Sequence, residues 1–143
     1  MSMLTDLIRK HEGKFPKDKP GHWPYTDTVG KLTVGYGRNL TDNGLSEDEA
    51  EYLLQNDVNA IVGELSRTFP WYRLQLAARQ DAFADMAYNL GMPRFKGFQY
   101  MIAAMERADY VGASAAMLDS KWAEQVGERA KELAKMVQTG DYQ

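Results

Sequence analysis

The chain has 143 residues, 44% of them hydrophobic, and a formal net charge of −3. This length allows one compact unit, or two small lobes that share one core. The absence of cysteine excludes disulfides, thiolate metal sites and a thiol nucleophile, and it suits folding in a reducing cytoplasm. The small net charge implies neither a nucleic acid nor an anionic membrane as partner.

The N-terminus has no basic region followed by an apolar one, so it does not read as a signal peptide. No apolar run approaches the roughly 20 residues that span a bilayer. We therefore expect synthesis in the cytoplasm without membrane insertion. Because His11 and His22 are the only histidines, we expect no catalytic metal, and no cofactor is implied.

The first third of the chain changes pattern twice. Residues 3–12 place apolar side chains at helical spacing, and Gly13 indicates a helix stop. Residues 14–24 hold three prolines and three lysines, which is typical of a loop. Residues 25–38 combine strand-favouring side chains with glycines, which predicts a small β-hairpin or a three-stranded sheet.

The remainder predicts helices. Ser46 and Glu49 have the spacing of a capping box, and a helix of about five turns should follow and end before Pro70. Further helices are predicted at 73–90, 98–106, 110–118 and 121–137, with stops or breaks at Gly91, Pro93, Asp109, Gly112 and Gly127.

This order predicts an α+β, mainly helical fold of two lobes within one domain, 1–143. A β-containing lobe would cover about 13–45, and a linking helix about 46–68. A helical lobe would cover about 69–143 together with helix 3–12. A cleft between the lobes is where we expect a polymeric substrate.

Two carboxylates and a hydroxyl lie in this N-terminal pattern. Taken alone, Glu12 is a solvated helix-end acid, Asp27 a turn residue and Thr33 a strand residue. Taken together, these three side chains are the functional groups that hydrolysis of a glycosidic bond requires. One acid protonates the leaving oxygen, while the other acid and the hydroxyl manage a water.

The motif Asp27-Thr28-x-Gly30-x-x-Thr33-x-Gly35-x-Gly37, preceded by a helix that ends in Glu12-Gly13, resembles the phage T4-type lysozyme (endolysin) family, glycoside hydrolase family 24. The resemblance continues along nearly the whole chain, in the right order. It includes 48–51, 57–58, 86–91, 97–98, 120–122, 129–131 and 139–140.

The resemblance implies a lysozyme-like fold and a muramidase that hydrolyses the β-1,4 bond between N-acetylmuramic acid and N-acetylglucosamine. It implies that Glu12 is the catalytic acid, Asp27 the second carboxylate and Thr33 the residue that places water. The resemblance also implies that Asn39 and Tyr88 line the saccharide cleft and that Arg129 lies near the catalytic acid.

The partners implied are peptidoglycan glycan strands, with the protein acting as a monomer. We expect it to be made in a host cytoplasm and to reach periplasmic peptidoglycan after release by a holin-like partner, which leads to host lysis. An injected or tail-associated lysin is the alternative route.

The sequence departs from the family pattern at three places. Fourteen residues separate Glu12 from Asp27, several more than the family type has. Arg38 stands where the family often has histidine, and Ala116 stands where a polar, sugar-contacting residue can occur. The surplus residues form the 14–24 loop.

Several alternatives remain open at this point. Trp23, Pro24 and Tyr25 either offer a sugar-stacking platform or fold their loop onto its own body. The chain as a whole could be a lytic transglycosylase, a non-catalytic glycan-binding module or a structural helical protein. A carboxylate separation of roughly 6.5–9.5 Å would favour water attack with inversion, and about 5–5.5 Å a covalent route.

Overall fold

The structure, a computed structural model, describes residues 2–143. It confirms the predicted fold class: helices dominate, and a small antiparallel sheet lies near the N-terminus. Contacts divide the chain into two compact units, one ending at Tyr52 and the other running from Leu53 to Gln143. This division groups helix 3–12 with the N-terminal unit. The lobe boundaries drawn from the sequence stay predictions.

The N-terminal unit contains short elements joined by turns. They are α1 (Met3–Glu12), β1 (Tyr25–Thr26), β2 (Leu32–Val34), β3 (Arg38–Asn39), α2 (Leu40–Asn43) and the start of α3 (Glu47–Thr68). Ser2 begins α1 by accepting a hydrogen bond from the Thr5 amide at 3.1 Å. Gly13 ends it with a positive φ of 68°, as the sequence predicts.

The three strands form an antiparallel sheet in the order β1-β2-β3. Thr33 lies in the central strand, opposite Tyr25 on one side and Asn39 on the other. Because short connections join neighbouring antiparallel strands, this sheet needs few residues to form. The predicted three-stranded sheet is thereby confirmed.

The capping box at the start of α3 is also confirmed. The Glu49 amide donates to Ser46 Oγ at 3.2 Å, and the Ser46 amide donates to Glu49 Oε1 at 2.9 Å. These reciprocal bonds satisfy donors that the first turn of a helix leaves without partners.

The C-terminal unit is helical. After α3 and a 3-10 turn at Tyr72–Leu74, it contains α4 (Ala77–Leu90), α5 (Met92–Lys96), α6 (Gln99–Glu106), α7 (Tyr110–Leu118), α8 (Lys121–Val126) and α9 (Glu128–Thr139). The predicted helix 73–90 was wrong at its start, because the 3-10 turn precedes it. Gly112 lies inside α7 rather than breaking it, whereas Gly127 does separate α8 from α9.

The buried apolar side chains of residues 2–143 all lie between Leu65 and Val137. Their centre is an aromatic cluster, in which Phe83 packs 5.1 Å from Trp71 and 6.2 Å from Phe95, measured between ring centroids. The core described by the structure belongs to the C-terminal unit.

The apolar pattern of α1 has a different outcome. Its spacing would suit a buried face, yet none of its residues is buried, and Leu4 is 64% exposed. None of the helices within residues 2–143, α1 included, is both long and apolar enough to cross a membrane.

Candidate active site

Glu12 is the last residue of α1, and its side chain is exposed. The carboxylate lies directly against the backbone of Gly37. A Cβ placed on Gly37 would come within 2.9 Å of both Cδ and Oε2 of Glu12. A side chain at position 37 would force the flexible end of Glu12 to move, so this glycine leaves room for the carboxylate in its present position.

Gly37 has a role that the sequence did not reveal. The pattern predicted only that this glycine marks a turn or a close backbone approach. The structure identifies the group that approaches, and it also gives the glycine a φ of +83°. The two Gly-x-Gly positions of the hairpin signal such a role, but the partner lies 25 positions earlier in the chain.

Asp27 directly follows β1 and shapes the turn to β2. Its Oδ1 accepts hydrogen bonds from the backbone amides of Val29 at 3.0 Å and Lys31 at 2.8 Å. These bonds hold the carboxylate in one orientation. Within the described residues Oδ2 has no protein hydrogen bond, so it is the oxygen that a water can use. The turn role and the catalytic role are therefore compatible.

Thr33 is the buried residue of the sheet, with 4% of its surface exposed. Its hydroxyl donates to the carbonyl of Lys31 at 3.0 Å. The single hydroxyl proton is thereby used, and the oxygen keeps lone pairs that can accept from a water. We expected Thr33 to orient a water, and its hydroxyl is fixed in a geometry that leaves this accepting role open.

Asn39 lies beside Thr33 in the sheet and caps α2. Its Oδ1 accepts from the Asp42 amide at 3.0 Å, and its Nδ2 donates to the Asp42 carboxylate at 2.9 Å. Both polar atoms of the Asn39 side chain thus bond to Asp42 at the start of α2. The predicted contact between Asn39 and a saccharide stays a prediction.

The sheet register brings four of the proposed site residues into one unit. Tyr25 pairs with Thr33 in the sheet, and Asp27 follows β1 in the turn that leads into the strand of Thr33. Asn39 is the other neighbour of Thr33. Gly37 precedes β3 and touches Glu12. Glu12 thus contacts the turn between β2 and β3, and Asp27, Thr33 and Asn39 belong to the sheet and turns of the same unit.

Arg38 adds a cation to this unit, and its charge is paired. Its Nη1 and Nη2 bind the two oxygens of Glu49 at 2.8 and 2.6 Å. The hydrogen bond from Arg38, followed by those from Ser46, lowers the pKa of Glu49 to about 2. The fixed cation expected from the sequence is present, and a carboxylate on α3 holds it in place.

Tyr88 and Arg129 belong to the C-terminal unit and line one pocket there. The pocket has a volume of about 370 Å³, and Leu54, Val58, Ile61, Val62, Asp81, Ala84 and Asp85 complete its wall. Arg129 donates to Asp85 Oδ1 from Nε at 2.8 Å and from Nη2 at 2.7 Å. The roles proposed for Tyr88 toward the glycan and for Arg129 toward Glu12 stay predictions.

Among residues 2–143, no group of three or more His, Cys, Asp and Glu side chains is arranged to hold a metal ion. An exposed acid beside a glycine, together with an oriented carboxylate and a fixed hydroxyl, can protonate one atom and position a water at another.

Comparisons with known proteins give a specific match. The family model for phage lysozyme matches residues 21–138, a range that includes Asp27 and Thr33 and begins after Glu12. A relative from Enterobacteria phage T4, the pre-baseplate central spike protein Gp5, is 28% identical over 166 aligned residues. That alignment covers 96% of this chain, which spans 28% of the length of the spike protein.

Proposed function

The chain belongs to the phage lysozyme family, and we therefore propose that it is a glycoside hydrolase that cleaves bacterial peptidoglycan. The bond cut is the β-1,4 linkage between N-acetylmuramic acid and N-acetylglucosamine. The observation that supports the proposal is the Glu12 carboxylate lying against Gly37 of the hairpin, in the same unit as the oriented Asp27 carboxylate and the fixed Thr33 hydroxyl.

In the proposed reaction, Glu12 donates a proton to the glycosidic oxygen as the bond from this oxygen to the anomeric carbon breaks. Positive charge develops at the anomeric carbon, and a water attacks it. Asp27 accepts one proton of this water through Oδ2, while the Thr33 hydroxyl oxygen accepts a hydrogen bond from the other O–H, which stays on the new anomeric hydroxyl. The proton gained by Asp27 returns through solvent to Glu12, which restores the starting state.

The fixed hydrogen bonds of Asp27 and Thr33 support water attack rather than proton donation by these residues. Two backbone amides donate to Oδ1 and hold the Asp27 carboxylate in one orientation. A carboxylate held in this way can take a proton from a water at Oδ2. The role of proton donor is then that of Glu12. Its carboxylate is exposed, and a bound glycan would cover it.

The test compares Glu12→Gln and Asp27→Asn with wild type, using reducing-end release from purified peptidoglycan. Loss of a general acid or base should lower the rate about 10³-fold while the fold is retained by circular dichroism. Glu106→Gln, an exposed acid on α6, is the matched control and should keep wild-type activity. Peptidoglycan cleavage by Glu12→Gln at the wild-type rate would contradict the role of Glu12 as general acid.

Asp27→Ala separates hydrolysis from the rival lytic transglycosylase reaction. A transglycosylase needs one acid and forms an anhydro sugar without water. Full activity of Asp27→Ala, with anhydro ends in the products, would favour that reaction. Wild-type protein that binds peptidoglycan without cutting it would favour a binding module instead.

We further propose that the protein acts as a monomer on periplasmic peptidoglycan and causes host lysis. Two delivery routes fit the same chemistry. Release from the host cytoplasm by a holin-like partner is the first. The similarity to a baseplate spike protein supports the second, a tail-associated lysin. Detection of the chain in purified phage particles would favour the second route, and holin-dependent lysis from within would favour the first.

A further inference from the structure

We propose that the loop 14–24 is a binding surface for the anionic glycan strand, in which Trp23 stacks on a sugar ring and Lys17 and Lys19 attract carboxylates of the strand. The inference rests on the proposed function and adds a substrate-contacting element to it. The loop contains the surplus residues that distinguish this chain from the family type.

Contacts hold the loop in a defined position. The Trp23 amide donates to the Phe15 carbonyl at 2.9 Å, which closes the loop across its base. The Phe15 ring packs 5.1 Å from the ring of Tyr25, and His22 packs edge-on against Tyr36 at 4.7 Å. A surface that is already ordered loses less entropy when a ligand binds.

Trp23 itself does not fold onto this packed base. It is 56% exposed, whereas Tyr25 and His22 beside it are partly buried. The packing of an aromatic residue onto the body of the loop is seen for Tyr25, whereas sugar stacking by Trp23 is part of the proposal. Tyr25 folds the loop onto the hairpin, and Trp23 presents an amphipathic ring to solvent, which suits the apolar face of a pyranose.

The contacts also place the loop beside the proposed acid. Tyr36, which holds His22, directly precedes Gly37, and Gly37 touches the Glu12 carboxylate. The loop itself begins two residues after Glu12. A polymer with its scissile bond at Glu12 therefore extends past the loop, and a single sugar unit need not reach it.

The charge of the loop complements such a polymer. The loop contains three lysines, at positions 14, 17 and 19, and one acid, Asp18. Lys19 Nζ lies 5.9 Å from the centroid of the Trp23 ring, so one cation sits at the stacking surface. Each muramic acid unit of peptidoglycan carries carboxylate, either on its lactyl group or on the peptide attached there.

Binding is tested in the Glu12→Gln background, so that no strand is cut. Co-sedimentation with purified peptidoglycan sacculi gives an apparent Kd. Trp23→Ala should weaken binding about tenfold, because a truncated Trp anchor in an interface commonly has an effect of this size. Trp23→Phe keeps a ring face and should recover most of the affinity. Circular dichroism and thermal unfolding check that each variant folds.

Charge is tested separately from stacking. Lys17→Ala/Lys19→Ala should weaken sacculus binding about threefold at low salt, and the effect should fade at about 1 M salt. On a neutral N-acetylglucosamine hexamer, the lysine pair should have no effect, while Trp23→Ala should still weaken binding. Lys96→Ala/Lys135→Ala removes two exposed lysines of the C-terminal unit and should bind like the parent.

The inference is overturned if Trp23→Ala binds sacculi as tightly as the parent, or if the parent does not bind sacculi at all. An equal loss in Trp23→Ala and Trp23→Phe, with both folded, would also contradict stacking. Failure of the proposed function has a different signature. In that case wild-type protein releases no reducing ends, whatever the binding of the Trp23 variants.

Discussion

At the level of single residues, Gly37 gives the Glu12 carboxylate room against the hairpin. A methyl group there would meet the carboxylate at 2.9 Å, so the end of the Glu12 side chain would have to move. Local backbone hydrogen bonds hold Asp27 and Thr33, whereas the Glu12 carboxylate is placed against a position without a side chain.

Gly37→Ala should therefore displace the Glu12 carboxylate and lower the rate of peptidoglycan cleavage about 100-fold, as small misplacements of catalytic groups can do. Gly30→Ala is the matched control. Both glycines have φ of +83°, but a Cβ on Gly30 would meet nothing within 4 Å. Each variant should lose about 1–2 kcal/mol of stability from backbone strain. Equal activity of the two variants would contradict the role of the Glu12 contact.

At the scale of the element, the pair Arg38–Glu49 connects β3 to the first turn of α3. Glu49 serves two partners, the Arg38 guanidinium and the Ser46 amide. The pair thus fixes the strand that follows Gly37, even though neither residue belongs to the proposed catalytic set.

This pair should make stability depend on acid pH. The folded pKa of Glu49 lies at about 2, below the ordinary value of 4.5. Its stabilising contribution is therefore present above pH 4.5 and is lost as the pH falls toward 2. The difference in Tm between wild type and Glu49→Gln should shrink across that window. A Tm difference that stays constant from pH 6 to about pH 2 would contradict the ion pair.

Elements also show where sequence reasoning succeeds. The helices at 3–12 and 110–118 have the predicted bounds, because local periodicity and a terminal Gly or a capping Asp define them. The start of α4 was missed because a 3-10 turn precedes it. The Tyr72 hydroxyl of this turn donates to the Gln80 carbonyl at 3.0 Å. Apolar periodicity does not report a side-chain bond of this kind.

At the scale of the whole molecule, the apolar core and the proposed chemistry lie in different units. Of residues 2–52, Thr33 alone is buried, whereas the aromatic cluster and its neighbours stabilise the C-terminal unit. Hydrophobic periodicity predicted helices in both halves, but the distribution of burial between units is a property of tertiary packing. For the same reason, the sequence could name Glu12 and not its contact with Gly37.

This uneven burial predicts uneven local stability. Backbone amides of β1–β3 should exchange with deuterium faster than those of α4, because few buried contacts oppose opening of the N-terminal unit. Hydrogen exchange measured by mass spectrometry, with peptides from each unit, checks this expectation. Equal protection of the sheet and of α4 would contradict it.

In the proposed reaction, water attacks the glycosidic bond with Glu12 as the acid and Asp27 as the base. Digestion of purified peptidoglycan in ¹⁸O-labelled water, followed by mass spectrometry of the fragments, reports whether water enters the product. Hydrolysis should give reducing N-acetylmuramic acid ends that carry one ¹⁸O, and Glu12→Gln should not form them. Unlabelled anhydro-muramic ends, or cleavage at a peptide bond, would contradict this reaction.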